Sequence, residues 1–319
     1  MDIKTPFPRL TYTEAMERYG SDKPDTRFDL QFVNVNEVVK NAGFKVFTDV
    51  IAKGGVVSGF VAPNCATYRR NQLDILTDFV KSLGAGGLIW MRVTENGVET
   101  PIEKFLGKET VAAIAKEMKA KAGDLIFLIS DAWSKAYTIL GSLRLELARR
   151  LSLIDESKHN LLWVTDFPMF EYDDAEKRYV AVHHPFTSPK LEDIPLLDSE
   201  PLKARARAYD LVLNGNEIAG GSIRIYDRSL QSKVFTLLGI DTEAAQRKFG
   251  FLLDAFRYGA PPHGGIAFGV DRMCMLFTGE KSIRDVIAFP KTASALSLMD
   301  EAPSEVDANQ LKDLHIRIV

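Results

Sequence analysis

The segment from Tyr209 to Tyr226 carries two carboxylates and an arginine, Asp210, Glu217 and Arg224, arranged around an Asn214-Gly215 pair. Asn-Gly between apolar runs is a strong signal for a two-residue hairpin turn. In that register Leu213 pairs with Asn216, Val212 with Glu217 and Asp210 with Ala219. Alternation then puts Asp210, Val212 and Glu217 on one face. The two carboxylates become diagonal neighbours, with Cβ atoms about 7 Å apart. Carboxylates so placed repel unless a cation or a proton stands between them. Mg²⁺ suits hard oxygen ligands and commonly keeps waters while bridging phosphates. Strict alternation would send Arg224 to the opposite face, but a bulge at Gly220-Gly221 would reverse the parity and turn it toward the carboxylates. Its guanidinium could then hold a small carboxylate bidentately. The competing reading is a solvated hairpin whose charges satisfy one another.

A second constellation is Gly265-Ile-Ala-Phe-Gly-Val-Asp-Arg272, an apolar strand that runs into the helix Met273-Cys-Met-Leu-Phe277. A strand-to-helix junction leaves free backbone N–H groups at the helix start, with Arg272 beside them, and such a place can hold a polyphosphate. The bland alternative is a buried strand with a surface arginine. Cys274, inside the apolar helix, reads as core. His183-His184 precede a proline-bounded loop. Adjacent residues of an extended chain point opposite ways, so one histidine could bond a substrate carboxylate while the other packs. Neither a P-loop, a Gly-x-Ser-x-Gly elbow nor a Rossmann glycine fingerprint occurs.

These residues need elements to hold them. Thr11 and Glu14 form a capping-box pattern for a helix to Tyr19, and Gly20-Ser-Asp-Lys-Pro24 breaks it. From about Phe28 to Asp155, β-branched runs (56–61, 88–93, 125–129) alternate with helical stretches (71–83, 109–121, 134–151) as a compact α+β unit. An amphipathic helix is expected over Thr242–Tyr258, with Phe249, Leu252, Leu253 and Phe256 on one face and Gly259 as the stop. The chemistry-bearing residues crowd the second half, so the unit before it reads as inserted. The domains are therefore 1–28, core; 29–155, insertion; and 156–319, core.

The 319 residues are 46% hydrophobic and 26% charged, as in an ordinary globular protein, and can build a large core. A net charge of −3 gives no overall attraction to nucleic acid, so a polyanion would need a local basic face. The two cysteines, Cys65 and Cys274, have no metal-ligand spacing and read as free thiols of a reducing compartment. With no bilayer-length apolar run and no signal peptide, a cytoplasmic location away from membranes is expected.

Several phrases stand in one order: Tyr19-Gly-Ser-Asp-Lys-Pro-Asp25, Trp163-Val-Thr-Asp-Phe-Pro168, His183-His-Pro-Phe-Thr-Ser-Pro-Lys190, Asn216-Glu-Ile-Ala-Gly-Gly-Ser-Ile-Arg224 and Arg284-Asp-Val-Ile-Ala-Phe-Pro-Lys291. Together with the junction, which resembles motif 3 of class II aminoacyl-tRNA synthetases, they make nearly the whole chain resemble the bacterial-type aspartyl-tRNA synthetases. The inserted unit resembles the GAD domain of these enzymes and of tRNA-dependent amidotransferase subunits. The resemblance implies an α+β fold, a partial class II antiparallel-sheet catalytic core with the GAD-like insertion. It implies that His183 and Arg224 contact aspartate and that Glu217 contacts ATP and Mg²⁺ with Asp210 beside it. Gly269, Val270, Asp271 and Arg272 would form the motif 3 contact to ATP, with Arg272, Glu217 and Arg224 as the catalytic set. Ala219 stands where relatives frequently carry a third glycine.

Its further implications are aspartate, ATP and tRNA(Asp) as partners, a homodimeric parent enzyme, and the formation of aspartyl-adenylate followed by transfer to tRNA. Absent are the anticodon-binding domain, the dimerising motif 1 and a motif 2 Phe-Arg-x-Glu. The chain thus reads as the carboxy-terminal part of such an enzyme, inactive or nearly so alone. The alternatives are a non-catalytic tRNA-binding or regulatory fragment, a stand-alone ligase resembling ammonia-dependent asparagine synthetase, and an amidotransferase subunit. The insertion and the missing motif 2 speak against the second, and the junction speaks against the third.

Overall fold

The computed structural model describes residues 3–317. By chain contacts it divides into two units, Met1–Ala267 and Phe268–Val319. The first opens with β1 (Arg9–Thr11) and α1 (Tyr12–Tyr19). Thr11 Oγ1 accepts from the Glu14 N–H at 3.2 Å, and the Glu14 carboxylate accepts from the Thr11 N–H at 2.8 Å. That reciprocal pair satisfies donors which the first helical turn leaves open. Gly20, at φ 71°, ends the helix in the left-handed region.

Next come β2 (Val33–Asn34), α2 (Asn36–Val39), α3 (Lys45–Ala52), β3 (Val56–Ala62) and α4 (Arg70–Ser82). They are followed by β4 (Ile89–Thr94), β5 (Gly97–Glu99), α5 (Glu103–Leu106), α6 (Lys108–Glu117), β6 (Leu125–Asp131) and α7 (Trp133–Arg150). The strands form an antiparallel sheet in the order β2-β3-β6-β4-β5. Both faces are covered, which explains why apolar residues of β3 and β6 are buried on both sides. Phe60 and Phe127 pack with Leu73, Leu76, Leu140 and Leu143 of α4 and α7. Val57, Ile126 and Leu128 pack with Val39, Phe47 and Ile114 of α2, α3 and α6. The helix expected to reach Lys121 ends at Glu117, and Lys119 takes a positive φ of 56°.

The chain then returns to the first sheet through β7 (Leu161–Thr165), a ribbon of β8 (Phe170–Asp173) and β9 (Arg178–Ala181), α8 (Leu196–Ser199), β10 (Ala208–Leu213) and β11 (Asn216–Ile223). After α9 (Arg228–Leu237) and α10 (Thr242–Ala255), β12 (Gly264–Phe268) completes the order β1-β7-β10-β11-β12. β1 runs parallel to β7, while β10 is antiparallel to both β7 and β11. The expected long helix from Thr242 becomes α10 followed by a 3-10 turn at Phe256–Tyr258. Phe249, Leu252 and Leu253 cover Phe186 and Phe235, as the apolar stripe requires.

In the second unit α11 (Val270–Thr278) follows Gly269 and ends at Gly279, and α12 is Ala308–Asp313. Two expectations fail here. Of α11 only Met275 is buried, and Cys274 is exposed, so neither a buried helix nor a core cysteine is found. β12 (Gly264–Phe268) is exposed throughout, so the competing reading of the junction, a buried strand, does not hold. It is the edge strand of its sheet. Among the described residues, no helix is long and apolar enough to cross a membrane.

Candidate functional site

The β10–β11 hairpin turns at Asn214-Gly215 (φ 51° and 81°), and Leu213 pairs with Asn216 and Val212 with Glu217 as the turn chemistry requires. The register then shifts between Leu211 and Val212, so that Leu211 faces Ala219 and Asp210 faces Gly220. The expected pairing of Asp210 with Ala219 is therefore off by one. The bulge falls at Ile218, not at Gly220-Gly221. Ile218 is buried, so its side chain has somewhere apolar to go. The consequence foreseen for the bulge still follows. With Asp210 opposite Gly220 and Ala208 opposite Ser222, alternation brings Gly220, Ser222 and Arg224 to the face of Glu217 and Asp210.

The two glycines have separate reasons. A Cβ on Gly220 would lie 2.7 Å from Asp210 Oδ1 and 3.1 Å from Glu217 Oε1, so the absent side chain is the space between the carboxylates. A Cβ on Gly221 would overlap the Gly265 carbonyl oxygen, so only glycine lets β12 approach. The Tyr209 hydroxyl donates to that same carbonyl at 3.0 Å.

The face opens on a concavity of about 540 Å³ whose walls include Asp22, His183, Asp210, Glu217 and Arg224. Thr187 and Ser222 also line it, their hydroxyls 3.2 Å apart. Arg224 Nη1 is buried and has no hydrogen-bond partner among the described residues. A guanidinium N–H without an acceptor is costly, and an incoming carboxylate would satisfy it. A larger concavity of about 630 Å³ runs past Ile223, Ile225 and Leu230. Its one carboxylate, Asp227, is engaged in capping α9, so the smaller space is the better candidate.

Charge in the smaller space is unbalanced. Asp210, only 8% exposed, has its carboxyl pushed up to about 7, first by burial and then by the negative charges of Glu217 and Asp22, with Lys23 opposing. Burial drives His183 below the ordinary imidazole value, and Arg224 lowers it further, against Glu217 and Asp22. His183 Nε2 stands 3.9 Å from Asp210 Oδ1. Because His183 is neutral at pH 7, that contact is a dipolar one and not an ion pair. The His183 ring meets Phe167 edge-on at 4.5 Å, which fixes its plane. His184, expected to pack, also lines the concavity, and its Nδ1 accepts from the Phe186 N–H at 3.2 Å.

Thus His183, Asp210, Glu217 and Arg224 are gathered in one space. Gly269, Val270, Asp271 and Arg272 belong to the second unit, where Gly269 precedes α11 and the other three make its first turn. Gly269, the residue before that turn, has no side chain with which to cap it. Sequence reasoning missed Asp22. It stands in the helix-breaking turn and in the phrase Tyr19–Asp25 but carries no expected role there, although an acidic residue right after a capped helix is a usable signal.

The family model for class II tRNA synthetases (D, K and N) matches residues 1–293. The chain belongs to this family. It is 53% identical over 318 residues to the aspartate–tRNA(Asp/Asn) ligase of Caldanaerobacter subterraneus subsp. tengcongensis, covering 100% of this chain and 54% of that protein. It is 54% identical over 319 residues to the aspartate–tRNA ligase of Staphylococcus saprophyticus subsp. saprophyticus, with coverages of 100% and 54%. The chain thus spans about half the length of the curated relatives it matches. Among solved structures, the aspartyl tRNA synthetase of Entamoeba histolytica aligns at 23% identity with a TM-score of 0.34, over 48% of this chain and 26% of that one. The mixed α+β architecture with antiparallel sheets accords with membership of this class II family.

Proposed function

We propose that these residues supply the aspartate-binding wall and part of the ATP site of an aspartate–tRNA ligase. One observation carries this reading: the buried Nη1 of Arg224, without a partner among the described residues, on a concavity shared with His183, Asp210 and Glu217. Arg224 takes the side-chain carboxylate of aspartate bidentately. It rejects asparagine, whose amide cannot pair bidentately with the guanidinium because its NH2 donates where a second carboxylate oxygen would accept. Neutral His183 supports the same substrate as a hydrogen-bonding group whose ring plane Phe167 holds.

Asp210 and Glu217 would hold Mg²⁺. The donor set fits: two carboxylates share one space, and burial with mutual repulsion keeps Asp210 protonated until about pH 7. Two protein oxygens suffice for an ion that takes the rest of its shell from water and phosphate, and it would neutralise charge on bound ATP. The first turn of α11, Val270 to Arg272, contributes N–H groups and a guanidinium to the polyphosphate. Aspartate then attacks the α-phosphorus to give aspartyl-adenylate and pyrophosphate, and the aspartyl group passes to tRNA. The protein's share is positioning and charge stabilisation. Residues 29–155 form the inserted domain, between core segments 1–28 and 156–319. The whole enzyme is a cytoplasmic homodimer.

No Phe-Arg-x-Glu of the motif 2 kind occurs in the 319 residues. Loss of one such stabilising donor costs on the order of 10²–10³ in rate. Aspartate-dependent ATP–pyrophosphate exchange tests the reading. The chain alone should exchange at least ~10²-fold more slowly than a whole relative. Supplying the relative's remaining half should restore exchange, and Arg224→Ala should abolish it again. Full exchange by the chain alone, indifferent to Arg224→Ala, would overturn the assignment.

A further inference from the structure

Asp22 reaches the concavity from a segment, residues 20–30, that has no regular structure of its own. What holds that segment is a buried arginine of the other sheet's helix. Arg144, in the middle of α7, is 1% exposed. Its Nε donates to the Leu30 carbonyl at 3.1 Å. Its Nη2 lies 3.0, 2.9 and 2.8 Å from the carbonyl oxygens of Asp25, Phe28 and Asp29. The guanidinium carbon sits 3.9 Å from the centre of the Phe28 ring and 5.0 Å from that of Tyr19. Burying a guanidinium is expensive, and here its cost is offset by carbonyls and ring faces rather than by a contacting carboxylate.

Three further features mark this as a built contact. Leu30 adopts φ 70°, a conformation costly for a side chain with a Cβ, and its carbonyl is the one that meets Nε. A Cβ on Gly20 would overlap the backbone of Tyr137 and Gly141, so the end of α1 lies directly on α7. From the other side, Arg27 pairs with Glu156 at 2.7 Å, and Asn160 Nδ2 donates to the Thr26 carbonyl at 2.9 Å. The segment is therefore gripped between α7 and the start of the returning core chain.

We propose that Arg144 is a positioning residue for the aspartate pocket: by holding the main chain of residues 25–30 it sets where Asp22 stands on the pocket wall. Helix α7 of the GAD-like unit thereby becomes part of the substrate site without touching substrate. The functional half of this inference rests on the reading of the pocket proposed above; the clamp itself does not.

The test uses the 319-residue chain with Arg144→Lys and Arg144→Met, followed by amide hydrogen exchange. A lysine keeps the charge but cannot reach several carbonyls from one planar fork. The expected result is at least ~10-fold faster exchange at residues 21–32, Asp22 and Lys23 included, with β3, β6 and the rest of α7 unchanged. Unchanged exchange at 21–32 in Arg144→Lys, or a loss spread evenly over the whole unit, overturns the proposal. If Arg144→Met unfolds, Arg144→Lys decides. L-aspartate titration by calorimetry adds the functional arm. Arg144→Lys and Asp22→Asn should each weaken binding, and the double variant should be no weaker than Asp22→Asn. Additive losses overturn the link to Asp22. A parent chain that binds no aspartate counts against the pocket reading, while exchange at 21–32 still decides the clamp.

Discussion

Asp210, on β10, is 8% exposed, whereas Val270, at the start of α11, is 67% exposed. The two regions carry different chemistry, carboxylates and an arginine in one, a helix start and an arginine in the other, under opposite surroundings. In the hairpin, burial by β7 and β11 amplifies every charge, raises Asp210 and leaves a guanidinium nitrogen without an acceptor. In the second unit the apolar residues Phe268, Val270 and Phe277 are more than a third exposed, and its charges are screened by water. A site can be preorganised by its own fold only where an apolar layer excludes solvent around it. The hairpin meets that condition in this chain and the junction does not.

Substitution of Gly221 strikes hardest at the buried side of this comparison. Gly221→Ala places a Cβ against the Gly265 carbonyl, forcing β12 off β11. We expect a loss of about 3 kcal/mol or more in urea unfolding. A loss under 1 kcal/mol would mean that β12 is not held closely.

Asp210→Asn sharpens the electrostatic half. A carboxyl whose folded value is raised to about 7 stabilises the fold below its unfolded value near 4, and that contribution drains away as pH rises through 7. Removing the ionisable group should therefore raise stability at pH 8 by roughly 2–4 kcal/mol and change little at pH 3.5. Equal effects at both pH values would show that Asp210 titrates normally.

The smallest effect belongs to the cysteines. Exposed Cys274 should react with a disulfide reagent in the folded chain. Cys65, buried and with its thiol pushed up by burial, should react only on unfolding. Cys274→Ser should shift stability by no more than about 0.5 kcal/mol. Protection of Cys274 would erase the contrast between the two regions.

Local signals were readable wherever a short segment satisfies itself. Thr11 with Glu14, Asn214-Gly215 and the Phe249–Leu252–Leu253 stripe each carry their own reason within a few residues. Most of the α7 and β3 limits followed from the same local logic. The site was legible as a set of types: two carboxylates and an arginine on one face, with a bulge to reconcile them. The bulge's position was not, because it depends on where Ile218 finds apolar cover and on how β10 already pairs with β7. Asp22 and Arg144, separated by more than a hundred residues, could not be linked by any pattern of spacing.

What the amino-acid order determined by itself is therefore the hairpin turn, the helix caps, the faces of the strands and the family. What only the tertiary structure decided is the unsatisfied state of Arg224, the raised carboxyl of Asp210, the exposure of α11 and the grip of Arg144 on the chain around Asp22. Turns and caps are contacts between near neighbours, whereas desolvation and long-range hydrogen bonds exist only after distant segments have met.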